Sequence, residues 1–188
     1  MNDKRMRMLM AAKDAFEESG YHETKMADIA GRADVGKGTL YEYFDSKQML
    51  FEEMMKFLLE SMHDFLTSKI EEKQDPVEKL RVIANLDIEI AKDHGQLFSV
   101  ILERLNTSSE SLKEEFMLAR HKQLKMIEKI LEEGISSGVF KPVKSKYFAY
   151  VFKGTIAQAT MSHSCGMGDE EENVLDELFD ILISSIKS

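Results

Sequence analysis

A long stripe of apolar side chains at helical spacing constrains the fold of this chain most strongly. Over residues 50–66, apolar residues recur at intervals of three and four, so they fall on one face of a helix. The stripe consists of Leu50, Met54, Phe57, Leu58, Met62, Phe65 and Leu66. The strict apolar–polar alternation that marks a half-buried strand is absent from the sequence. The pattern therefore predicts an all-α protein.

Glycine and proline divide the chain into about nine predicted helices. Gly20 and Gly138 predict helix ends, because glycine readily adopts the left-handed conformation that closes a helix. Pro76 predicts a helix start, since the first helical position tolerates a missing N–H. Residues 1–47 are expected to form a three-helix N-terminal domain. Residues 48–188 are expected to form a larger helical bundle.

Two short helices within the N-terminal domain carry the functional argument. Thr24 is the expected N-cap of the first and Ser46 the expected N-cap of the long helix that follows. Asp34 lies in the tight turn between the short helices, and the second short helix is predicted over Gly36 to Tyr43. Two short helices joined by such a turn form the helix-turn-helix that places a reading helix in the major groove of DNA.

The second short helix is predicted to bury one face and expose the other. The inward positions are Val35, Leu40 and Phe44, and the outward positions are Lys37, Thr39, Glu42 and Tyr43. The outward side chains can donate or accept hydrogen bonds. Gly36 and Gly38 weaken the helix but permit a close approach of backbone to a phosphate.

The residues of this region closely resemble the DNA-binding signature of the tetracycline-repressor (TetR) family. The resemblance runs from Thr24 to Ala30, continues over residues 35–44 and reaches Ser46 and Lys47. It covers about residues 8–55, and residues 133–140 resemble the end of the family's seventh helix. It implies a homodimeric repressor that binds a palindromic double-stranded operator and is released by a small, apolar effector.

The resemblance also implies a set of DNA contacts. They are Thr24, Lys25, Gly36, Lys37, Gly38, Thr39, Tyr41, Tyr43 and Lys47. Lys37, Gly38 and Thr39 occupy positions that approach base edges, whereas the others occupy positions near the DNA backbone. Two residues depart from the family pattern. Asp34 replaces the turn glycine, although it can adopt a left-handed conformation, and Gly36 replaces a serine that can bind phosphate.

Methionine and aromatic side chains in the C-terminal bundle predict a core, and the resemblance implies a cavity for an effector among them. The predicted pocket residues are Phe57, Met62, Phe65, Asn85, Phe98, Met117, His121, Phe152 and Gln158. The last helix is apolar on nearly all sides between Val174 and Ile186. The resemblance implies that the last two helices form the dimer interface, although a helix buried within one subunit would show the same pattern.

Charge leaves other functions open. The chain carries a net charge of −9, and residues 1–47 hold eight Lys and Arg against nine Asp and Glu, so this domain lacks the basic patch common in DNA-binding proteins. A ligand-binding or scaffold protein without specific DNA binding is therefore an alternative, as is an activator or a nucleoid-type binder. A small-molecule enzyme has the least support.

Catalytic and nucleotide-binding motifs give no support to an enzyme. Residues 31–37 fit the string G-x-x-x-x-G-K, but Gly38 stands where a phosphate-binding loop needs serine or threonine, and a helix rather than a strand precedes it. No nucleophile–base pair can be recognised from spacing. We expect no catalytic residues and no cofactor.

Metal sites, disulfides and membrane spans are also not expected. His121, His163 and Cys165 lack the spaced pairs of a zinc site. The single cysteine, Cys165, excludes an internal disulfide and fits a reducing compartment; a redox role stays open beside an unpaired thiol without function. No apolar run approaches about eighteen residues. We therefore expect a cytoplasmic protein.

Overall fold

The computed structural model describes residues 3–105, 108–164 and 174–188, apart from a few side chains within these ranges. Nine helices lie in the described residues, and the all-α prediction is confirmed. They are α1 (Asp3–Glu23), α2 (Met26–Arg32), α3 (Lys37–Tyr43), α4 (Lys47–Glu71), α5 (Pro76–Asp93), α6 (Gly95–Leu105), α7 (Glu110–Ser136), α8 (Ser145–Ser164) and α9 (Val174–Ile186). The β-structure of this described part is a single isolated bridge between Phe140 and Lys187.

Most helix ends lie where local signals predict them. Gly20 breaks α1 with φ 73°, and Gly138 follows α7 with φ 76°. The Ser46 hydroxyl accepts a hydrogen bond of 3.1 Å from the N–H of Met49, as expected for the N-cap of α4. Pro76 is the first residue of α5. These four predictions are confirmed.

The described chain divides into two compact units. Unit 1 comprises residues 1–61 and 94–117, and unit 2 comprises residues 62–93 and 118–188. Helix α6 therefore belongs to the same unit as α1, α2 and α3, and the unit boundaries fall within α4 and α7. The functional division at residue 47 stays a prediction.

The core of unit 1 holds the two short helices. α1 packs against α2 and α6, and α2 packs against α3. Phe16, Tyr21 and Phe51 form a triangle of aromatic rings whose centroids lie 5.4–5.6 Å apart. Leu40 and Phe44 of the α3 region are fully buried in the same core, so α3 is attached to it through one face.

The core of unit 2 lies among α5, α8 and α9 and extends to α4 and α7. Phe152 on α8 meets Phe179 on α9 edge to face, with ring centroids 6.1 Å apart. The Phe140 ring packs on the backbone of Gly134, where an added Cβ would lie 2.1 Å from a ring carbon. This contact explains why α7 needs a glycine so close to its end.

The turn between α2 and α3 has the hydrogen bonds of a Schellman motif. The N–H of Val35 donates to the carbonyl of Ala30 at 3.0 Å, and the N–H of Asp34 donates to the carbonyl of Gly31 at 3.2 Å. Asp34 adopts φ 54°, the left-handed conformation expected for this position. An aspartate therefore performs the role that glycine usually performs in such a turn.

Asp34 gives a stability test of this turn. We expect Asp34→Ala to lower the free energy of unfolding by about 1 kcal/mol, because alanine is strained at positive φ. The free energy of unfolding of Asp34→Gly should lie within about 0.5 kcal/mol of the wild-type value or above it, since relief of strain offsets the added entropy of the unfolded chain. Chemical denaturation measures both, and an Asp34→Ala protein as stable as the wild type would contradict this description of the turn.

Candidate nucleic-acid interface

Helix α3 exposes the residues that were predicted to read bases. Lys37 and Gly38 are exposed, Thr39 is half-buried, and 42% of Tyr41 is accessible to solvent. The opposite face is closed because Leu40 is fully buried. α3 therefore presents a polar face of about two turns, attached through its other side, and a major groove can accept such an element.

The glycines of α3 leave space on this face. A Cβ added at Gly38 would meet nothing within 4 Å, and one at Gly36 would lie 3.8 Å from Thr39 Oγ1. Packing within the described chain therefore requires neither glycine. The Lys37 ammonium lies 6.0 Å from the centre of the Tyr41 ring. These positions form an open surface that an external molecule can approach closely.

Tyr43 and Phe44 close the C-terminal end of α3. Tyr43 is half-buried and packs against the unit 1 core, with its ring centroid 6.3 Å from that of Phe44. Phe44 is fully buried, as the sequence predicts for an inward position. Tyr43 is therefore less available to an external molecule than Tyr41.

Thr24 is buried at the junction of α1 and α2, and its contact with DNA stays a prediction. Its side chain is 3% exposed, and its hydroxyl lies 3.0 Å from the carbonyl oxygen of Ala15 and 2.6 Å from that of Gly20. The N-cap of α2 is Lys25, so the prediction that Thr24 caps this helix is wrong. The hydroxyl faces the end of α1 because Gly20 breaks that helix and leaves carbonyls without helical partners.

Lys25 occupies the exposed entrance to α2. Its backbone N–H donates to Asp28 Oδ2 at 3.3 Å, and its side chain is exposed. This carboxylate contact tightens the first turn of α2. The Lys25 ammonium lies on the surface near the two short helices, as a phosphate contact requires.

Lys47 bonds to the main chain of its own subunit, and its phosphate contact stays a prediction. Its ammonium donates three hydrogen bonds to main-chain carbonyls, at 2.8 Å to Tyr21, 3.1 Å to His22 and 2.9 Å to Thr24. All three N–H groups of the ammonium are used. Burial lowers the pKa of Lys47, and the guanidinium of Arg104 acts in the same direction. The contacts join the start of α4 to the connection between α1 and α2.

Tyr21 lies between two cations in this part of unit 1. The Lys47 ammonium is 4.6 Å from the centre of the Tyr21 ring, and the Arg104 guanidinium is 4.0 Å from it. Arg104 is on α6, which the sequence did not associate with the N-terminal domain. The contact shows that α6 supports the connection between α1 and α2.

Two histidine–glutamate contacts join α6 and the residue before it to α1. His94 Nδ1 lies 2.7 Å from Glu17 Oε1, and His22 Nε2 lies 2.9 Å from Glu103 Oε1. Burial alone would raise the pKa of Glu17, but hydrogen bonds from Lys13 and His94 outweigh it and lower the pKa. Such partners lie far apart in sequence, and no local pattern indicates them.

The nine residues predicted to line an effector pocket are divided between the two units. In unit 1, Phe57 is half-buried and Met117 is 67% exposed, whereas the side chain of Phe98 lies outside the described residues. In unit 2, Phe152 is fully buried and Met62 is half-buried.

The remaining four residues of that set, all in unit 2, are exposed: Phe65, Asn85, His121 and Gln158. Asn85 lines a shallow depression of about 260 Å³ between α5 and α9. A larger groove of about 610 Å³ in unit 2 is lined by none of the nine. That these nine residues line one effector pocket stays a prediction.

Within the described ranges, no group of three or more His, Cys, Asp or Glu side chains is placed to hold a metal ion. Cys165 and the side chain of His163 lie outside the described residues, and His121 is exposed. In the same ranges, no helix has the length and apolar character needed to cross a membrane.

Lys47 provides a test of its structural role. We expect Lys47→Met to lower the free energy of unfolding by about 2 kcal/mol, because three carbonyls lose a charged hydrogen-bond donor. The measurement is chemical denaturation without DNA, and Lys25→Met serves as the control because its exposed ammonium lies outside this network. If both variants unfold like the wild type, the contacts with the α1–α2 connection do not stabilise unit 1.

Comparison with known proteins identifies both the N-terminal and the C-terminal part of the chain. The family of bacterial regulatory proteins of the tetR type matches residues 8–54, and a tetracyclin repressor-like C-terminal domain matches residues 73–161. The transcriptional regulator YhgD of Bacillus subtilis is 29% identical over 149 residues, which cover 79% of this chain and 78% of YhgD. The fatty acid metabolism regulator protein of the same organism is 33% identical over 143 residues, covering 73% of this chain and 71% of that protein.

A solved structure also matches almost the whole chain. The transcriptional regulator FadR from Bacillus subtilis, in complex with stearoyl-CoA, superposes with a TM-score of 0.73 at 27% identity, covering 96% of this chain and 98% of FadR. Both predicted regions are therefore matched in sequence and in fold. The chain belongs to the tetR family of bacterial regulatory proteins, and it is a DNA-binding transcriptional regulator rather than an enzyme.

Proposed function

We propose that the protein is a homodimeric cytoplasmic repressor that binds a palindromic operator through α3 and is released by a small effector with a long apolar segment. The observation that carries the proposal is the division of α3 into a buried face, with Leu40, and an exposed polar face, with Lys37 and Tyr41. Residues 1–47 form the reading part. Residues 48–188 serve dimerisation and effector binding.

The proposed DNA contacts have separate roles. Lys37 and Thr39, with the close approach that Gly38 allows, read base edges in the major groove. Tyr41 and Lys25 contact phosphates and set the register of the helix on the duplex. The backbone at Gly36 and the half-buried Tyr43 lie at the ends of this surface. Thr24 and Lys47 support it from below through the carbonyls that they bind.

An apolar stripe on α8 supports the proposed homodimer. Tyr147, Tyr150 and Val151 are 61%, 49% and 53% exposed, and their spacing of three and four places them on one helix face. On α9, which packs against α8, Ile181 is 63% exposed. A second copy related by a two-fold axis would pack through the same two helices and cover all four side chains. The two α3 helices would then lie about 34–36 Å apart, one turn of DNA.

The relatives indicate the kind of effector. One relative is a fatty acid metabolism regulator, and one similar structure contains stearoyl-CoA. An effector with a fatty acyl segment therefore suits the apolar core of unit 2. By binding more tightly to a subunit arrangement with different α3 spacing, it would shift the population away from the form that binds DNA.

A DNA-binding experiment tests the reading role of α3. Selection from random duplexes by the purified protein is expected to enrich a palindrome with half-sites about ten base pairs apart. Against this sequence, Lys37→Ala combined with Tyr41→Ala should lower the affinity at least about tenfold, because a base contact and a phosphate contact are lost. Fluorescence anisotropy at fixed salt concentration measures the affinity.

A control variant removes two exposed cations outside unit 1 and outside the α8 stripe, through Arg120→Ala and Lys141→Ala. This control should bind the operator as the wild type does, and circular dichroism should show unchanged helicity in both variants. Selection that enriches no sequence, with binding that disappears as salt rises, would instead favour the alternative of a ligand-binding or scaffold protein without specific DNA binding.

The dimer interface is tested by placing a charge on the α8 stripe. Val151→Glu should convert the dimer to a monomer at micromolar concentration, because two unpaired carboxylates would be buried near the two-fold axis. Sedimentation velocity measures the mass. Lys141→Glu, an exposed change in the α7–α8 connection, should stay dimeric. A dimeric Val151→Glu protein would place the interface elsewhere.

A further inference from the structure

A groove with a positively charged rim crosses the surface of unit 2 between α4 and α7. It has a volume of about 610 Å³, within the range of small-molecule sites. Five lysines line it, together with two glutamates and one histidine. The lysines are Lys73, Lys79, Lys122, Lys125 and Lys129, and we refer to this feature as the lysine groove.

Three of these lysines form a stripe along α7. Lys122, Lys125 and Lys129 are separated by three and four residues, so their side chains project from the same helix face. Like charges at this spacing destabilise a helix by a few tenths of a kcal/mol for each pair. The rest of the protein has an excess of acid, with a net charge of −9 overall. The three lysines therefore concentrate positive charge on one part of a protein that is acidic overall.

Carboxylates neutralise this concentration only in part. Lys79 pairs with Glu133 at 2.7 Å, and Lys125 pairs with Glu128 at 2.6 Å. Lys73 pairs with Glu78 at 3.8 Å. Among the described residues, no carboxylate lies within ion-pair distance of Lys122 or Lys129, and both are exposed. Two ammonium groups on adjacent turns of α7 therefore remain available to an anion from outside.

The floor of the groove is apolar. Ile70 of α4 and Ile130 of α7 are 8% and 3% exposed and belong to the unit 2 core, and Met126 packs against that core. A simple inorganic anion would leave this floor uncovered. A ligand that suits both parts carries negative charge at one end and an aliphatic segment at the other. Methionine adapts readily to a flexible chain of this kind.

We propose that the lysine groove binds the charged head of an amphiphilic anion, with phosphate or carboxylate groups on Lys122 and Lys129 and the start of an aliphatic chain on Ile70, Met126 and Ile130. The proposal rests on the function proposed above, because it identifies this ligand with the effector. It assigns the head group to α7 of unit 2. The lysines select for charge, and the apolar floor selects for the chain.

Calorimetric titration of the purified full-length protein without DNA tests the proposal. Three probes are used. Stearoyl-CoA carries both the charged head and the aliphatic chain, free CoA carries the head alone, and stearate carries the chain with a single carboxylate. Stearoyl-CoA should bind most tightly. Lys122→Gln combined with Lys129→Gln should weaken its binding about tenfold, since two charged contacts are lost. Raising the salt concentration should weaken binding to the wild type more than to the variant.

The control variant, Arg120→Gln combined with Lys141→Gln, removes the same number of exposed charges from unit 2 outside the groove. It should bind stearoyl-CoA as the wild type does. Equal affinity of the groove variant and the wild type would overturn the proposed site. Free CoA binding as tightly as stearoyl-CoA would overturn the role of the apolar floor, and stearoyl-CoA binding that does not weaken as the salt concentration rises would overturn the role of the lysines.

Operator binding without any probe separates this proposal from the proposed function. The groove variant should bind the selected operator with unchanged affinity and should need about ten times more stearoyl-CoA for release. If the wild type binds no operator, the proposed function fails, while the titrations still decide whether the groove binds the amphiphile.

Discussion

The position of α3 depends on the burial of Leu40 and Phe44 in the core of unit 1. Seven residues are too few for a helix to be stable in water without tertiary contacts, so these two side chains keep α3 folded and fix its orientation. The guanidinium of Arg5 lies 5.6 Å from the centre of the Phe44 ring and covers it from α1. A polar outer face on α3 is possible because the inner face supplies the stability.

A second layer of contacts stabilises the connection that precedes α2. Thr24 and Lys47 together bind five main-chain carbonyls near the end of α1, where Gly20 interrupts the helix. Arg104 of α6 stacks on Tyr21 beside them. A displacement of α6 would therefore alter contacts at the entrance to the helix-turn-helix, which gives unit 1 an internal route by which a change outside α1–α3 can reach α3.

Local chemistry made much of this fold predictable. Gly20, Ser46, Pro76 and Gly138 act through their own backbone and near neighbours, and each lies where the sequence indicated a helix end or start. Helical periodicity also placed Lys37 and Glu42 on the exposed face of α3, whereas Thr39 and Tyr43, which were predicted to face outward, are half-buried.

The contacts that the sequence did not indicate are mostly those that tertiary structure creates. The sequence did not indicate that Thr24 and Lys47 bind main-chain carbonyls, and Lys47 reaches the carbonyl of Tyr21 only because tertiary structure brings the start of α4 to the end of α1. The DNA contacts of both residues stay predictions. The effector pocket was inferred from the general character of methionine and aromatic residues, which does not determine which side chains share a cavity. The three lysines of α7 show a visible helical stripe, yet only the structure places Ile70 of α4 beside them.

The sparse positive charge of the reading surface bears on how the protein finds its operator. Between residues 24 and 47, Arg32 is paired with Glu18 and the Lys47 ammonium is occupied by carbonyls, which leaves Lys25 and Lys37 as the exposed cations without such partners. With few phosphates neutralised, few counterions are released on random sequence, so each nonspecific encounter is brief. We expect a protein with so few phosphate contacts to sample the chromosome by frequent dissociation and rebinding rather than by long sliding. Fewer of its copies are then sequestered on the many competing sites of the genome.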